Sequence, residues 1–370
     1  MAQIELPEGS WLGRVERAGI GPAIVTLRDG SLVDVTCRAA PTVRDILEMD
    51  DPVAWLSTAE GETIGPLDAG HSWLAPCDLQ AVKACGVTFA GSMVERVIEE
   101  QAAGDPDRAA EIRNRIGARI GDSLSNITPG STEAAEVKAA LIEEGLWSQY
   151  LEVGIGPDAE VFSKAQVLSA VGHGADIGLH PISTWNNPEP EVVLAVNSRG
   201  EIRGATLGND VNLRDVEGRS ALLLSKAKDN NASCALGPMI RLFDDGFTLD
   251  TVRGLELDLT VTGKADGFTL NGHSSMREIS RKPEDLVAQT IGRHHQYPDG
   301  FMLFLGTLFA PTQDRDTPGG GFTHKIGDRV TIACPELGRL ENRVRLSTDC
   351  PEWTFGIRVF MANLAERGLI

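Results

Sequence analysis

The stretch NPEPEVVLAVNSRGEIRGATLGNDVNLRD, residues 187–215, decides the fold of this chain. Two apolar runs in it flank NSRG at 197–200, and Asn, Ser and Gly are residues that form turns. The pattern predicts an antiparallel hairpin. With the hairpin centre at residue 199, position 189 faces position 209, and Asp210 lies beside Glu189.

Three carboxylates meet at the open end of this hairpin. Glu189 and Glu191 are two residues apart on a strand, so their side chains leave the same face, and Asp210 joins them from the second strand. Clustered anions repel each other, and a cation relieves the repulsion. Oxygen ligands without His or Cys favour a hard ion, Mg²⁺ or Mn²⁺. The trio therefore predicts a divalent metal site; the alternative that spacing leaves open is a solvated acidic strand edge.

Two further positions could handle an anionic ligand. Lys228, in the segment KAKDNN at 226–231, could hold an anion or transfer a proton, although a surface lysine is the simpler interpretation. Thr307 follows the apolar run FMLFLG, where its hydroxyl and backbone N–H could bind a carboxylate or merely end a strand. The tetrapeptide GDSL at 121–124 occurs in some serine esterases, but no strand precedes it to orient the serine, so we do not expect a nucleophile there.

Helical and strand patterns are segregated along the chain. Residues 1–75 have the pattern of short strands and turns, 92–147 that of a helical insert, and 150–350 mostly that of strands with Gly-rich turns. This order predicts an α+β fold rather than a doubly wound α/β fold.

Composition excludes several classes of function. The 370 residues include 34 Lys and Arg against 53 Asp and Glu, a net charge of −19 that argues against a nucleic-acid partner. No apolar run approaches the roughly 20 residues of a membrane helix. The six cysteines are scattered and the N-terminus has no signal-peptide pattern, so we expect reduced thiols and a cytoplasmic location.

Taken in order, the motifs resemble the fumarylacetoacetate hydrolase superfamily. The matching parts are the E-x-E pair, the N-D-x-x-x-R-D box at 209–215, Lys228 with CALGP at 234–238, and the corner Gly306–Thr307. The resemblance covers about residues 76–350. It implies a mixed β-roll catalytic domain at 76–370, with a helical lid insert at 92–147 and a smaller β-rich domain at 1–75. It also implies a homodimer or homotetramer.

The resemblance also implies roles for single residues. Glu189, Glu191 and Asp210 match the metal ligands, and Lys228 matches the active-site lysine. Arg214 and Thr307 match residues that contact the substrate.

One departure from the hydrolases concerns the reaction. Their lid motif N-Y-x-x-H-x-x-E carries a His–Glu pair that activates water, whereas residues 88–95 here are TFAGSMVE. Ser92 takes the place of the histidine and Glu95 is kept. Serine near neutral pH cannot replace imidazole as a base. Water-activating hydrolysis is therefore not expected.

The segments EVFSKA at 160–165 and VGHG at 171–174 instead resemble the sugar-acid dehydratases of the superfamily. This implies Mg²⁺-dependent loss of water from a 2-keto-3-deoxypentonate such as the D-xylonate derivative, giving 2-oxoglutarate semialdehyde in pentose breakdown. Glu160 or Lys228 is the candidate base, and Glu95 or a metal-bound water the candidate acid. Ser92 and Lys164 are candidate substrate contacts. The alternatives are a C–C hydrolase of a 2,4-diketo acid and a sugar-acid sensor without turnover.

Overall fold

The computed structural model of the chain describes residues 4–103, 105–109, 111–112, 127–143, 145, 147–307, 309, 311–317 and 321–370. The strands are β1 Trp11–Arg17, β2 Gly21–Arg28, β3 Ser31–Asp34, β4 Glu62–Pro66, β5 Ser72–Leu74, β6 Ala81–Gly86, β7 Glu160–Ala165, β8 Asp176–Leu179, β9 Pro190–Val196, β10 Ile202–Asp210, β11 Cys234–Leu242, β12 Glu256–Thr262, β13 Thr269–Ser275, β14 Phe301–Phe304, β15 Arg329–Cys334 and β16 Gly338–Leu346. The helices are α1 Val43–Leu47, α2 Pro52–Thr58, α3 Ala90–Ala102, α4 Thr132–Glu143, α5 Gln149–Ile155, α6 Arg214–Glu217, α7 Leu224–Lys228, α8 Leu249–Val252, α9 Pro283–Thr290 and α10 Ile357–Glu366, with 3₁₀ turns at Ala221–Leu223 and Met276–Glu278.

The described strands form two sheets. The larger has the order β4-β3-β2-β1-β11-β10-β9-β14-β6-β7, with β5 also paired to β1, and the smaller has the order β13-β12-β15-β16-β8. Most neighbours are antiparallel, whereas β14–β6 and β16–β8 are parallel pairs. This mixed α+β architecture confirms the predicted fold class.

A buried apolar layer lies between the two sheets. Val192 and Leu194 of β9 and Leu207 of β10 belong to the same core cluster as Leu259 of β12 and Ile332 of β15. Every residue of β9 is buried, which its unbroken run of apolar residues after Glu191 reflects. The strands that carry the acidic residues therefore rest on a packed support.

The hairpin of β9 and β10 forms as predicted, but its register changes along its length. Near the turn, Ile202 faces Val196, as a centre at residue 199 requires. An irregularity between Ile202 and Gly204 then shifts the pairing by one residue, so that Asn209 faces Pro190. The predicted pairing of positions 189 and 209 is therefore wrong by one residue, and Asp210 itself donates its backbone N–H to the Glu189 carbonyl at 3.0 Å.

The insert supplies helices that pack beside the sheet. Val97 and Ile98 of α3 share an apolar cluster with Leu151 and Ile155 of α5. The predicted helix at 132–147 is observed as Thr132–Glu143, and the Ser131 hydroxyl accepts a hydrogen bond from the Ala134 N–H at 3.1 Å at its start. The GDSL segment at 121–124 lies outside the described residues. None of the described helices carries an apolar run long enough to cross a membrane.

Candidate active site

The three predicted carboxylates come together. Glu189 immediately precedes β9, Glu191 is its second residue, and Asp210 is the last residue of β10. One oxygen from each lies within 4.8 Å of the others, and all three side chains are buried. The alternative of a solvated acidic edge is therefore wrong.

The environment of Glu191 fits a metal ion. Its carboxylate accepts a hydrogen bond from the Gly306 N–H at 2.6 Å. Burial, followed by the charges of Asp210 and Glu189, raises its pKa well above the ordinary value. A hard dication would supply the positive charge that this all-oxygen donor set needs. Glu189, Glu191 and Asp210 are thus suited to hold Mg²⁺.

Two buried lysines support the trio. The Lys228 ammonium hydrogen-bonds to Glu189 and lies 3.1 Å from Asp210 Oδ2. Burial opposes its charge, but Asp210 and Glu189 outweigh burial and raise the pKa of Lys228. The Lys164 ammonium lies 2.9 Å from Asp210 Oδ1 and donates to the Lys228 carbonyl. Lys164 thus braces Asp210 and the end of α7.

Glu160 is a different kind of carboxylate. It starts β7 opposite Gly86 of β6, where a Cβ atom on residue 86 would lie 1.9 Å from its Oε2. Burial, together with the negative charge of Glu217, raises the pKa of Glu160 to about 7. The glycine makes room for a carboxyl group that can gain or lose a proton near neutral pH.

Sequence reasoning missed three charged residues that hold helix α3 to the site. Arg96 donates to Glu189 Oε1 at 2.5 Å and to Glu99 at 2.8 Å, and it also lies 2.9 Å from Glu217 Oε2. The only sequence signals are the position of Arg96 next to Glu95 and that of Glu217 just after the R-D box. Neither reveals a contact across more than ninety residues of chain.

Of the other predicted residues, Ser92 lines the site cavity, whereas Arg214, Glu95 and Lys164 lie outside its described lining. The Ser92 hydroxyl donates to the Phe89 carbonyl at 2.9 Å and lines the site cavity. Arg214 bonds Glu99 at 2.6 Å, stacks on Trp185 at 4.6 Å, and has a longer contact of 3.5 Å with Glu95.

The cavity itself is narrow and polar. Only about 20 Å³ is open to the centre of a water molecule, which is enough for one water or an ion. The polar side chains of its lining are those of Ser92, Arg96, Glu160, Glu189, Glu191, Asp210, Glu217, Lys228 and Thr307.

These features define a metal-binding site of the fumarylacetoacetate hydrolase type. The chain matches the family described as fumarylacetoacetate (FAA) hydrolase C-terminal over residues 152–345, more than half of its length. It belongs to that family.

Two relatives are named as dehydratases. A probable 2-keto-3-deoxyxylonate dehydratase of Haloferax volcanii is 31% identical over 216 residues, which are 58% of this chain and 70% of that protein. A 2-dehydro-3-deoxy-D-arabinonate dehydratase of Saccharolobus solfataricus is 33% identical over 186 residues, or 50% of this chain and 58% of that protein.

Solved structures share the fold. The 2-keto-3-deoxy-D-arabinonate dehydratase complexed with magnesium and 2,5-dioxopentanoate has a TM-score of 0.63 at 22% identity, over 91% of this chain and 99% of that chain. A fumarylacetoacetate hydrolase from Exiguobacterium antarcticum has a TM-score of 0.57 at 16% identity, with the same coverage. Dehydratases and hydrolases therefore share this fold, and the reaction has to be argued from the site.

Proposed function

We propose that this protein is a Mg²⁺-dependent dehydratase that converts a 2-keto-3-deoxypentonate into 2-oxoglutarate semialdehyde (2,5-dioxopentanoate). The relatives named as dehydratases support the reaction class. The observation that carries the proposal is Glu160, a half-buried carboxyl with a pKa of about 7, in the same cavity as the acidic trio.

Glu189, Glu191 and Asp210 would hold the metal. A bound Mg²⁺ supplies Lewis-acid chemistry, which stabilises negative charge on the keto oxygen of a 2-oxo acid. Lys228 and Lys164 keep Glu189 and Asp210 in place through their contacts with these two carboxylates.

Glu160 is the better of the two candidate bases. Its raised pKa gives an appreciable fraction of each protonation state near pH 7, as acid–base catalysis requires. Lys228 is paired with two carboxylates that keep it protonated. Glu160 takes the C3 proton, and the carboxyl so formed returns it to the C4 hydroxyl, which leaves as water. The elimination leaves a C3=C4 double bond conjugated to the C2 keto group; transfer of a proton from C5 to C3 gives the C4=C5 enol, which tautomerises to the 2,5-dioxo acid.

This role reassigns the general acid. Glu95 lies outside the described cavity lining and faces Arg214. Because Glu160 returns the proton itself, the elimination is balanced without a second carboxyl. Helix α3 covers the cavity with Ser92 and Arg96, and this cover excludes bulk water from the reacting atoms.

The site has no histidine at the position where the hydrolases carry the base for C–C bond hydrolysis. Ser92 occupies the histidine position of the hydrolases, and its hydroxyl is engaged by the Phe89 carbonyl. A serine hydroxyl does not accept a proton from water near neutral pH.

The test is a coupled assay. Removing the C2 and C3 stereocentres makes the D-xylonate and D-arabinonate derivatives one compound, whose single stereocentre is C4. Protein, Mg²⁺ and either enantiomer are incubated with a semialdehyde dehydrogenase and its nicotinamide cofactor. We expect reduced cofactor with the D compound and no pyruvate. Pyruvate would indicate C–C cleavage, and unchanged ligand that still binds the protein would indicate a sensor.

A further inference from the structure

We propose that Arg96 of the lid helix binds the substrate carboxylate, and that its guanidinium moves from Glu189 to the substrate when the metal and substrate enter. This inference rests on the proposed function, because it names the residue that recognises the acid group of the same ligand.

The two terminal nitrogens of the Arg96 guanidinium have different partners. Nη1 faces Glu99 at 2.8 Å and Glu217 at 2.9 Å, whereas Nη2 contacts Glu189 Oε1 at 2.5 Å. Glu99 lies on the same helix three residues later, and Glu217 ends α6. The Nη1 nitrogen is therefore held by carboxylates outside the trio, and Nη2 is the nitrogen that contacts the trio.

Both oxygens of Glu189 already contact cations. Oε1 bonds Arg96 and Oε2 bonds Lys228. A dication placed on Glu189 is repelled by these charges, so one of the two contacts must lengthen. Lys228 also holds Asp210 and its side chain is 3% exposed, whereas the Arg96 side chain is 12% exposed. The contact between Arg96 and Glu189 is thus the one that lengthens when a dication binds.

The cavity requires the same movement. The open space admits the centre of about one water molecule, so a five-carbon sugar acid enters only when side chains of the lining, such as Arg96, move aside. Carboxylates outnumber cations in the lining, even after a dication is added. An anionic substrate therefore needs a cation that is not paired with the trio. Once its contact with Glu189 is broken, Nη2 of Arg96 supplies that cation. Guanidinium–carboxylate pairs are strong and directional.

The two halves of this proposal predict opposite effects of Arg96→Gln. Removing the competing cation at Glu189 should tighten Mg²⁺ binding at least threefold, measured by titration calorimetry with the metal alone. Removing the carboxylate partner should weaken binding of pyruvate, a minimal 2-oxo acid, to the Mg²⁺-loaded protein about tenfold or more. Where turnover is measurable, KM should rise by more than kcat falls.

Matched variants separate recognition from a structural role. Arg108→Gln removes the same charge from the insert, at an exposed residue whose guanidinium donates to the Gln101 carbonyl at 3.3 Å, and should change neither titration. Arg96→Lys should restore the weaker Mg²⁺ binding but recover pyruvate binding incompletely, because an ammonium cannot form the bidentate pair.

Unchanged pyruvate binding in Arg96→Gln, or weakened binding of both ligands, would overturn the proposal. Neither titration depends on turnover. A wild-type protein that binds Mg²⁺ and pyruvate but dehydrates neither enantiomer would refute the proposed function while leaving the Arg96 test intact.

Discussion

At the scale of single residues, neighbouring carboxylates of one site have unequal environments. Burial opposes ionisation of Glu189, but Lys228 and Arg96 outweigh burial and lower its pKa. Glu191 lies two residues away, and its pKa is raised by burial and by Asp210 and Glu189. A bound cation therefore stabilises the ionised form of Glu191 more than that of Glu189.

Replacing Glu191 by Gln should separate metal binding from stability. Without metal, the amide removes a buried charge from the trio, so we expect the chelator-treated variant to melt at or above the wild-type temperature. With Mg²⁺ at about 100 times its Kd, the wild type should gain about 2.7 kcal/mol, and the variant should gain almost nothing. Thermal melts with EDTA and with Mg²⁺ measure both effects, with the exposed Glu366→Gln as control. A variant with the wild-type Mg²⁺ shift would exclude Glu191 as a ligand.

Glu160 should make the stability of the wild type depend on pH in the opposite direction from a salt-bridged acid, and Glu160→Gln should remove that dependence. The folded pKa of about 7 lies above the ordinary 4.5, so the wild type loses stability as pH rises through this window. The amide does not titrate. We expect the variant and the wild type to melt alike near pH 4.5, and the variant to melt higher at pH 8, both in chelator.

The same substitution should lower kcat about 10²- to 10⁴-fold, as expected for loss of a general base. If the melting difference were constant with pH, the carboxyl would not titrate in this range. Nearly full activity would assign proton removal to another group.

At the scale of secondary-structure elements, the hairpin shows what a sequence can predict. The turn at 197–200 and the two apolar runs placed β9 and β10 correctly, because turn chemistry and hydrophobic pattern are local. The one-residue shift between Ile202 and Gly204 was not predicted, because a bulge depends on how β10 packs with β9 and β11 together. The trio nevertheless converged, since its members all lie at the open end.

Helix α3 shows what a sequence cannot predict. The helical spacing of SMVERVIEE indicated a helix, and α3 forms there. Its rotation relative to the sheet decides that Arg96 faces Glu189 whereas Glu95 faces Arg214. That rotation is set by the packing of Val97 and Ile98 against α5, which is tertiary information.

The pairing of β6 with β7 predicts a variant that loses activity more than stability. In Gly86→Ala, the new methyl group would meet the end of the flexible Glu160 side chain, which can turn aside at small cost. We expect a melting temperature close to that of the wild type and a kcat at least tenfold lower, because the carboxyl is displaced from the cavity. Gly246→Ala, in an open loop position, serves as the control. Unchanged kcat would show that the position of Glu160 is not critical.

At the scale of the whole molecule, the N-terminal strands are continuous with the site. Within β1, Trp11 faces Arg241 of β11, and β11 pairs with β10, which carries Asp210. The sheet thus runs from β1 into the strands that hold the acidic trio. The smaller β-rich domain at 1–75 stays a prediction, and this pairing leads us to expect that the segment unfolds together with the rest.

Calorimetry of Trp11→Ala tests that expectation. Trp11 is fully buried in a cluster with Val15, Val25 and Met239, and truncating such a residue costs about 3–5 kcal/mol. If the sheet unfolds as one unit, a single transition should move down by several degrees in the variant, and Mg²⁺ should move that same transition up in both proteins. The exposed Trp353→Ala is the matched control. Two transitions, one lowered by Trp11→Ala and the other raised by Mg²⁺, would instead show that residues 1–75 fold independently of the metal site, because a ligand stabilises only the cooperative unit that binds it.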